Sequence, residues 1–278
     1  AQSSLDICFN HLSTYVDSLR KAIQTTYPPY KEIGVKVNGH YRQLNDTILQ
    51  IENEHYSDVR PKRVTGAGER PLQALKNRGV EYIEIRNTDV NPLLPLGLDL
   101  QQALFLDTFL ISCLLMDEQI IGDAECRMVG DNTQKVITRG REPGLMLSTP
   151  AGERSLTDLG SSLLAQMQVT GQLLDEVHGT RAYRSAVEAQ IEKLRDHALT
   201  PSAQVVDALQ QTGAEYTDWI LHKSREHRQT FGPMDPNTRV YEDLTRRALD
   251  SIKAQRQLEE SDTQDFDTFL KDFLAVTE

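Results

Sequence analysis

The side chains best suited to chemistry belong to two runs, 48–56 (ILQIENEHY) and 80–86 (VEYIEIR). Both runs are predicted to be strands, in which alternate residues face the same side. Glu84 and Arg86 then share a face of the second strand, and Tyr56 ends the first. A carboxylate, a guanidinium group and a phenol directed into one space could bind a divalent cation and an anionic substrate. The alternative is a solvated strand face that carries ion pairs.

The chain between these runs is basic and contains glycines. Residues 60–70 read RPKRVTGAGER, and Arg60, Lys62 and Arg63 are its candidates for phosphate binding. Side chains and free N–H groups of such a turn can hold phosphates, although the sequence matches neither a Walker loop nor a dinucleotide fingerprint. Taken alone, however, a short basic run is usually a solvated loop. In the first strand, Glu52 is predicted to share the face of Tyr56.

The composition is that of a globular chain. Of the 278 residues, 38% are hydrophobic, and the net charge is −11. This acidic balance argues against nucleic acid as a partner. Three cysteines are too few for a disulfide framework, and no apolar run is long enough to span a bilayer. We therefore expect a cytoplasmic location, with no membrane partner.

The elements that must position these residues form an α+β fold. An amphipathic helix is predicted from Ser4 to about Thr26, and a hairpin around the Asn38-Gly39 turn. A short helix is predicted at Pro71–Arg78, and a helix buried all round from Leu100 to about Met116. From about residue 153 the pattern is almost purely helical. The predicted helices there are Leu156–Val177, Arg181–His197, Pro201–Gln211, Tyr216–Phe231, Arg239–Glu259 and Thr263–Ala275.

Residues 1–150 are assigned to a sheet domain, with an antiparallel portion built from residues 32–56 and 80–88 and with supporting helices. Residues 151–278 are assigned to a helical region packed on it. This division rests on the change in pattern along the chain.

Several runs together resemble a known family. The segments LQIENEHY (49–56), RPKRVT (60–65), VEYIEIR (80–86) and DVNPLLP (89–95) are similar to consecutive motifs of the proteobacterial glutamate–cysteine ligases. Matches continue at 104–107, 140–145 and 262–274. Members of the family are much longer, and this chain resembles their C-terminal half. The resemblance implies a sheet of the glutamine-synthetase-like kind, completed by strands that this chain lacks.

The resemblance also implies a reaction, the first step of glutathione biosynthesis. ATP phosphorylates the γ-carboxylate of L-glutamate, and the amine of L-cysteine attacks the acyl phosphate, with Mg²⁺ or Mn²⁺ as the cation. By position in the motifs, Glu84 is a metal ligand, Arg86 a catalytic contact to the transferred phosphoryl group, and Tyr56 part of the cysteine pocket. Arg60, Lys62 and Arg63 fall in a matching phosphate-binding motif without individual roles.

The family's other metal carboxylates and a metal-binding histidine belong to the half that is absent here. We therefore expect this chain to carry only part of an active site, to need the N-terminal half as a partner, and to be inactive alone. Two alternatives remain. One is a non-catalytic fragment or helical interaction module, and the other is a sister carboxylate–amine ligase that uses a different amine.

Overall fold

The computed structural model describes residues 5, 7, 9–66, 68–117 and 120–275. In chain order the elements are α1 (Leu12–Ala22), α2 (Pro28–Ile33), β1 (Lys36–Val37), β2 (His40–Tyr41), β3 (Val59–Lys62), α3 (Pro71–Arg78), β4 (Tyr82–Ile85), α4 (Leu100–Leu115), α5 (Asp123–Arg139), β5 (Met146–Thr149), β6 (Gly152–Ser155), α6 (Leu156–His178), α7 (Ala182–Arg195), α8 (Pro201–Thr212), α9 (Tyr216–Phe231), α10 (Arg239–Ser261) and α11 (Phe266–Leu274). Helices dominate, and the strands form antiparallel pairs. The α+β class and the helical C-terminal half are confirmed.

The chain divides into two compact units. The first comprises Ala1–Thr88 and Met234–Glu278, and the second comprises Asp89–Pro233. The sequence-based division at residue 150 falls in the turn between β5 and β6, inside the second unit. The division itself stays a prediction.

One face of α1 forms the core of the first unit. Its buried residues pack with Leu49, Leu72 and Leu75. The predicted start of this helix at Ser4 lies outside the described residues, but the described helix begins only at Leu12. Leu5 packs against the same core from non-helical chain. The apolar spacing therefore predicts which face of α1 is buried, but the helix is shorter than predicted.

The predicted hairpin forms as β1 and β2. Asn38 has a φ of 53° and Gly39 a φ of 81°. Positive φ at both central residues is what a two-residue type I′ turn requires, and Asn-Gly is its preferred sequence. The strands are shorter than predicted, with two residues each.

The strand predicted at Ile48–Tyr56 is wrong. The segment forms a 3₁₀ turn at Glu52–Glu54 instead. Its backbone is held by local bonds, since the N–H of Gln50 donates to the Glu54 carboxylate at 2.7 Å. Such side-chain acceptors compete with strand pairing for backbone donors. The partner of β4 is β3, which lies in the stretch that the sequence analysis assigned to the basic connection.

Helices α4, α6 and α7 form the core of the second unit. Phe105 and Phe109 of α4 pack against a cluster made of Leu164, Met167 and Val187. Asp99 caps the start of α4, because its side chain accepts the N–H of Gln102.

The expectation that α4 is buried all round is wrong. Only Thr108 and Ser112 are buried among its described residues, while Leu114 is 78% exposed. Helix α4 is apolar on every face in sequence, yet α6 and α7 cover one side of it.

The six helices predicted after residue 153 are present as α6–α11, with ends that differ by at most three residues. Helix α5 and the β5–β6 hairpin were not predicted. Asn132 joins them, since its amide exchanges two hydrogen bonds with the backbone of Ser148. Among the described residues, no helix combines the length and the apolar character needed to cross a membrane.

Candidate functional site

The antiparallel pair of β3 and β4, whose connection contains α3, brings most of the predicted site residues together. Its register places Arg60 opposite Glu84 and Lys62 opposite Tyr82. Directly opposed residues project from the same face, so Arg60, Lys62 and Glu84 share one face of the strand pair. Arg86 extends this row, because its N–H donates to the Asp58 carbonyl at 2.8 Å.

Glu84 and Arg86 form an ion pair across this face. The Arg86 Nη1 lies 3.3 Å from the Glu84 Oε2. Their side chains are 32% and 37% exposed for Arg86 and Glu84 respectively. An ion pair this open to water contributes little to folding, about 0–1 kcal/mol. Either group can therefore leave this ion pair and bind a ligand at a small cost in folding free energy.

Tyr56 lies against two guanidinium groups. Its ring centroid is 5.0 Å from the Arg86 Cζ and 5.5 Å from the Arg60 Cζ. Contacts of this length are cation–π interactions, in which the negative ring face attracts the cation. The residue as a whole is 71% exposed, so the ring presents its remaining surface to solvent.

Arg60 differs from Arg86 in burial and in partners. It is 7% exposed, and its Nη2 donates to the carbonyls of Asn53, at 2.8 Å, and His55. Burial, and then the positive charge of Arg86, lower the pKa of Arg60, while Glu84 acts in the opposite direction. Arg60, Arg86 and Glu84 form a cluster of two cations and one carboxylate. Its excess of positive charge favours an anion at this face.

Lys62 and Arg63 are placed less centrally. Lys62 is half-buried on the face of Arg60, two residue pairs further along the two strands. The Arg63 Nε lies 3.5 Å from a carboxylate oxygen of Glu81. Strand alternation places Glu81 on the face opposite Glu84, so Arg63 is directed away from the cluster.

Glu52 does not join Tyr56 as predicted. It is 5% exposed, and its carboxylate accepts from the Arg70 guanidinium group and from the N–H of Leu72 at 3.4 Å. Arg70 also donates to the Phe273 carbonyl at 3.2 Å. This buried pair fixes the 3₁₀ turn to the start of α3. Eighteen residues separate the two partners, and no short-range pattern could have indicated their contact.

His55, the residue before Tyr56, is buried, at 8% exposure. Burial, followed by the charge of Arg60, lowers the pKa of His55. Neither ring nitrogen has a hydrogen-bond partner in the described part of the chain. A neutral imidazole is the form that such surroundings favour.

The cluster fits a metal ion only in part. Mg²⁺ and Mn²⁺ prefer oxygen ligands, and Glu84 supplies a half-exposed carboxylate that only a weak ion pair holds. Within the described ranges, no group of three or more His, Cys, Asp or Glu side chains could hold a metal. Glu84 could therefore serve as one ligand among others that come from outside these residues.

An open groove that contains none of these residues lies elsewhere. It has a volume of about 720 Å³ and runs along α5 in the second unit, where Arg127, Asp131 and Lys135 line it.

Comparison with known proteins gives consistent matches. Residues 1–136 match the model of the glutamate–cysteine ligase family. The chain is 43% identical over 275 residues to the glutamate–cysteine ligases of Pseudomonas putida and Pseudomonas aeruginosa, with 99% of this chain and 52% of each relative covered. The chain thus spans about half the length of the curated relatives it matches.

Solved structures agree. The glutamate–cysteine ligase from Francisella tularensis, solved in complex with AMP, superposes with a TM-score of 0.90 and 33% identity, over 98% of this chain and 54% of that one. A bifunctional glutathione synthetase from Pasteurella multocida superposes with a TM-score of 0.54 at 18% identity, over 82% of this chain and 25% of that one. The second likeness concerns the fold alone.

Proposed function

Because this chain belongs to the glutamate–cysteine ligase family and corresponds to the C-terminal half of its members, we propose that it supplies one part of the active site of such a ligase. The reaction is the ATP-dependent joining of the L-glutamate γ-carboxylate to the amine of L-cysteine. The observation that carries this proposal is that Arg86 contacts both Tyr56 and Glu84 on one solvent-facing side of the β3–β4 pair.

The first step transfers the γ-phosphoryl group of ATP to the glutamate γ-carboxylate and releases ADP. Arg86 acts here, because a planar, always charged guanidinium group can bond two phosphoryl oxygens and neutralise their charge. Glu84 would hold one Mg²⁺ or Mn²⁺, which when bound neutralises the polyphosphate. Lys62, and more remotely Arg63, add positive potential for the phosphates.

In the second step the cysteine amine attacks the acyl carbon, the amide bond forms, the amine loses a proton and phosphate leaves. Tyr56 contributes to binding cysteine, since its exposed ring borders the Glu84–Arg86 pair. The remaining metal ligands and the rest of the substrate contacts come from the N-terminal half of the enzyme, so the isolated chain is inactive.

Two substitutions in this chain test the assignment, with the N-terminal half of a homologous ligase added to complete the site. We expect Glu84→Gln and Arg86→Ala each to lower turnover by about 100-fold or more, because each removes a charge that the phosphoryl transfer uses. The free energy of unfolding should change by less than about 1 kcal/mol, because the lost pair is open to water.

Arg139→Ala is the matched control. Its guanidinium group pairs with Glu142 at 2.6 Å at the end of α5, where the Arg139 side chain is 53% exposed. Turnover of this variant should equal that of the wild type. Wild-type turnover in both site variants would exclude the proposed roles of Glu84 and Arg86.

The alternative of a sister ligase is tested with the same mixture. Replacing cysteine by other small amines, such as alanine or 2-aminobutyrate, should lower the rate of ADP release. A higher rate with another amine would assign this chain to a sister ligase.

A further inference from the structure

Arg60 is hydrogen-bonded to the backbone and is not exposed for binding a ligand. Its guanidinium group is buried, and Nη2 donates to the carbonyls of both Asn53 and His55. These carbonyls belong to the 3₁₀ turn and to the residue that precedes Tyr56. A charged donor that bonds two consecutive parts of a turn fixes its backbone more firmly than a neutral donor does.

The backbone that bears Tyr56 is anchored on both sides of this point. Before it, Glu52 is held by Arg70, and the N–H of His55 donates to the Glu52 carbonyl at 3.2 Å. After it, the Asp58 carbonyl accepts from Arg86. Residues 55–57 lie between these anchors, outside any helix or strand. The bond from Arg60 to the His55 carbonyl therefore lies next to Tyr56 itself.

Arg60 also contacts the ring that this backbone presents. The Tyr56 ring rests on the Arg60 and Arg86 guanidinium groups, at 5.5 Å and 5.0 Å from the ring centroid to each Cζ. Because the residue is 71% exposed, close packing by surrounding side chains does not fix the ring. The backbone of residues 53–56 and these two cations both act on its direction.

We propose that Arg60 is a positioning residue, which fixes the direction of the Tyr56 ring and thereby the affinity of the site for the substrate that Tyr56 binds. The inference rests on the proposed function, in which that substrate is cysteine. It gives Arg60 a role in place of the phosphate contact that the sequence suggested, and it leaves contact with the phosphates to Arg86.

The anchoring is tested on the chain alone by hydrogen exchange. Arg60→Met should speed exchange of the amides of Glu54 and His55 by about tenfold or more, with the amides of α1 unchanged. Arg60→Lys, which keeps a charged donor without the planar group, should give an intermediate rate. Arg78→Met is the control, because Arg78 also donates to a backbone carbonyl, that of Val64 at 2.9 Å, but away from Tyr56. Unchanged exchange at residues 54–55 in Arg60→Met would overturn the proposal.

The effect on the substrate is tested with the completed enzyme. Arg60→Met should raise the KM for cysteine by about tenfold or more, with the KM for ATP and glutamate within about twofold of the wild type. Arg60→Lys should recover part of the cysteine affinity, and Arg78→Met should match the wild type. An equal rise in the KM for ATP would instead indicate a phosphate contact and overturn the positioning role.

The two experiments separate two kinds of failure. A wild-type mixture that makes no product would contradict the proposed function, while exchange at residues 54–55 would still decide whether Arg60 holds the segment that bears Tyr56. If Arg60→Met also speeds exchange throughout α1, its fold is lost, and the comparison of Arg60→Lys with Arg78→Met then decides.

Discussion

Two arginines on one face of the β3–β4 pair differ in exposure and in the partners of their guanidinium groups. Arg86 is exposed and pairs with Glu84, whereas Arg60 is buried and bonds the backbone. Burial, and then the positive charge of Arg86, lower the pKa of Arg60. An anion beside Arg86 would relieve this repulsion, which is physically consistent with phosphoryl binding there.

His55 gives the cluster a dependence on pH. Burial and the charge of Arg60 lower its pKa in the folded chain below the ordinary value of about 6.5. Below pH 6.5 the unfolded chain then binds a proton that the folded chain does not, and the free energy of unfolding falls. The slope is at most about 1.4 kcal/mol per pH unit, and above pH 6.5 the effect disappears.

We therefore expect urea denaturation to show a smaller free energy of unfolding at pH 5.5 than at pH 7.5, by at most about 1.4 kcal/mol from this residue. His55→Gln, which cannot take up a charge, should lose that part of the difference. The control is His11→Gln, at an exposed histidine before α1, and should keep it. An identical pH dependence in wild type and His55→Gln would show that His55 is not the group responsible.

At the scale of elements, the α6–α7 pair depends on one buried carboxylate. The Asp175 side chain is 2% exposed and accepts the N–H groups of Tyr183 and Arg184 and the Arg184 Nε, at 2.9–3.3 Å. Burial acts to raise its pKa, but these donors outweigh burial and hold the pKa below its ordinary value. Asp175 thus caps α7 from the C-terminal turns of α6.

We expect Asp175→Ala to lower the free energy of unfolding of the second unit by about 2–4 kcal/mol, because three donors lose a buried acceptor. Urea denaturation followed by helical circular dichroism measures this. Glu176→Ala, at the exposed next residue, should change it by less than about 0.5 kcal/mol. Equal effects of the two substitutions would mean that the Asp175 bonds do not support the pair.

Helix ends and turns could be predicted from sequence because their determinants are local. Thr200 accepts the N–H of Ala203 at the start of α8, and Asn38-Gly39 forms its turn, as their sequences indicate. The segment 48–56 was mistaken for a strand because its conformation depends on Glu52 meeting Arg70 eighteen residues later. Helix α5, which has no buried residue, was not predicted.

The candidate site shows the same limit. The adjacency of Glu84 and Arg86 follows from strand alternation alone, and the structure has it. Which arginine is buried does not follow, because Arg60 and Arg86 are alike in sequence and differ only through the tertiary contacts of the 3₁₀ turn. The separation of Arg63 from the cluster likewise depends on where β3 ends.

At the scale of the whole molecule, each of the two compact units carries features that fit contact with further polypeptide. The chain spans about half the length of its relatives. Leu114 and Leu115 on α4 are 78% and 64% exposed, and none of the described side chains of α10 is buried. Among the described residues, no group of three or more candidate ligands surrounds Glu84, whereas the proposed metal-dependent phosphoryl transfer needs several. Apolar faces and an incomplete ligand set both fit a chain that works with further polypeptide.

The most direct test of this account measures γ-glutamylcysteine formation with ATP, Mg²⁺, L-glutamate and L-cysteine. Three samples are compared: this chain alone, the N-terminal half of a homologous ligase alone, and the two mixed. The account predicts product only in the mixture, with loss of that activity in Glu84→Gln. Product formed by this chain alone at the rate of the mixture, or no product from a mixture in which the two halves co-elute, would contradict it.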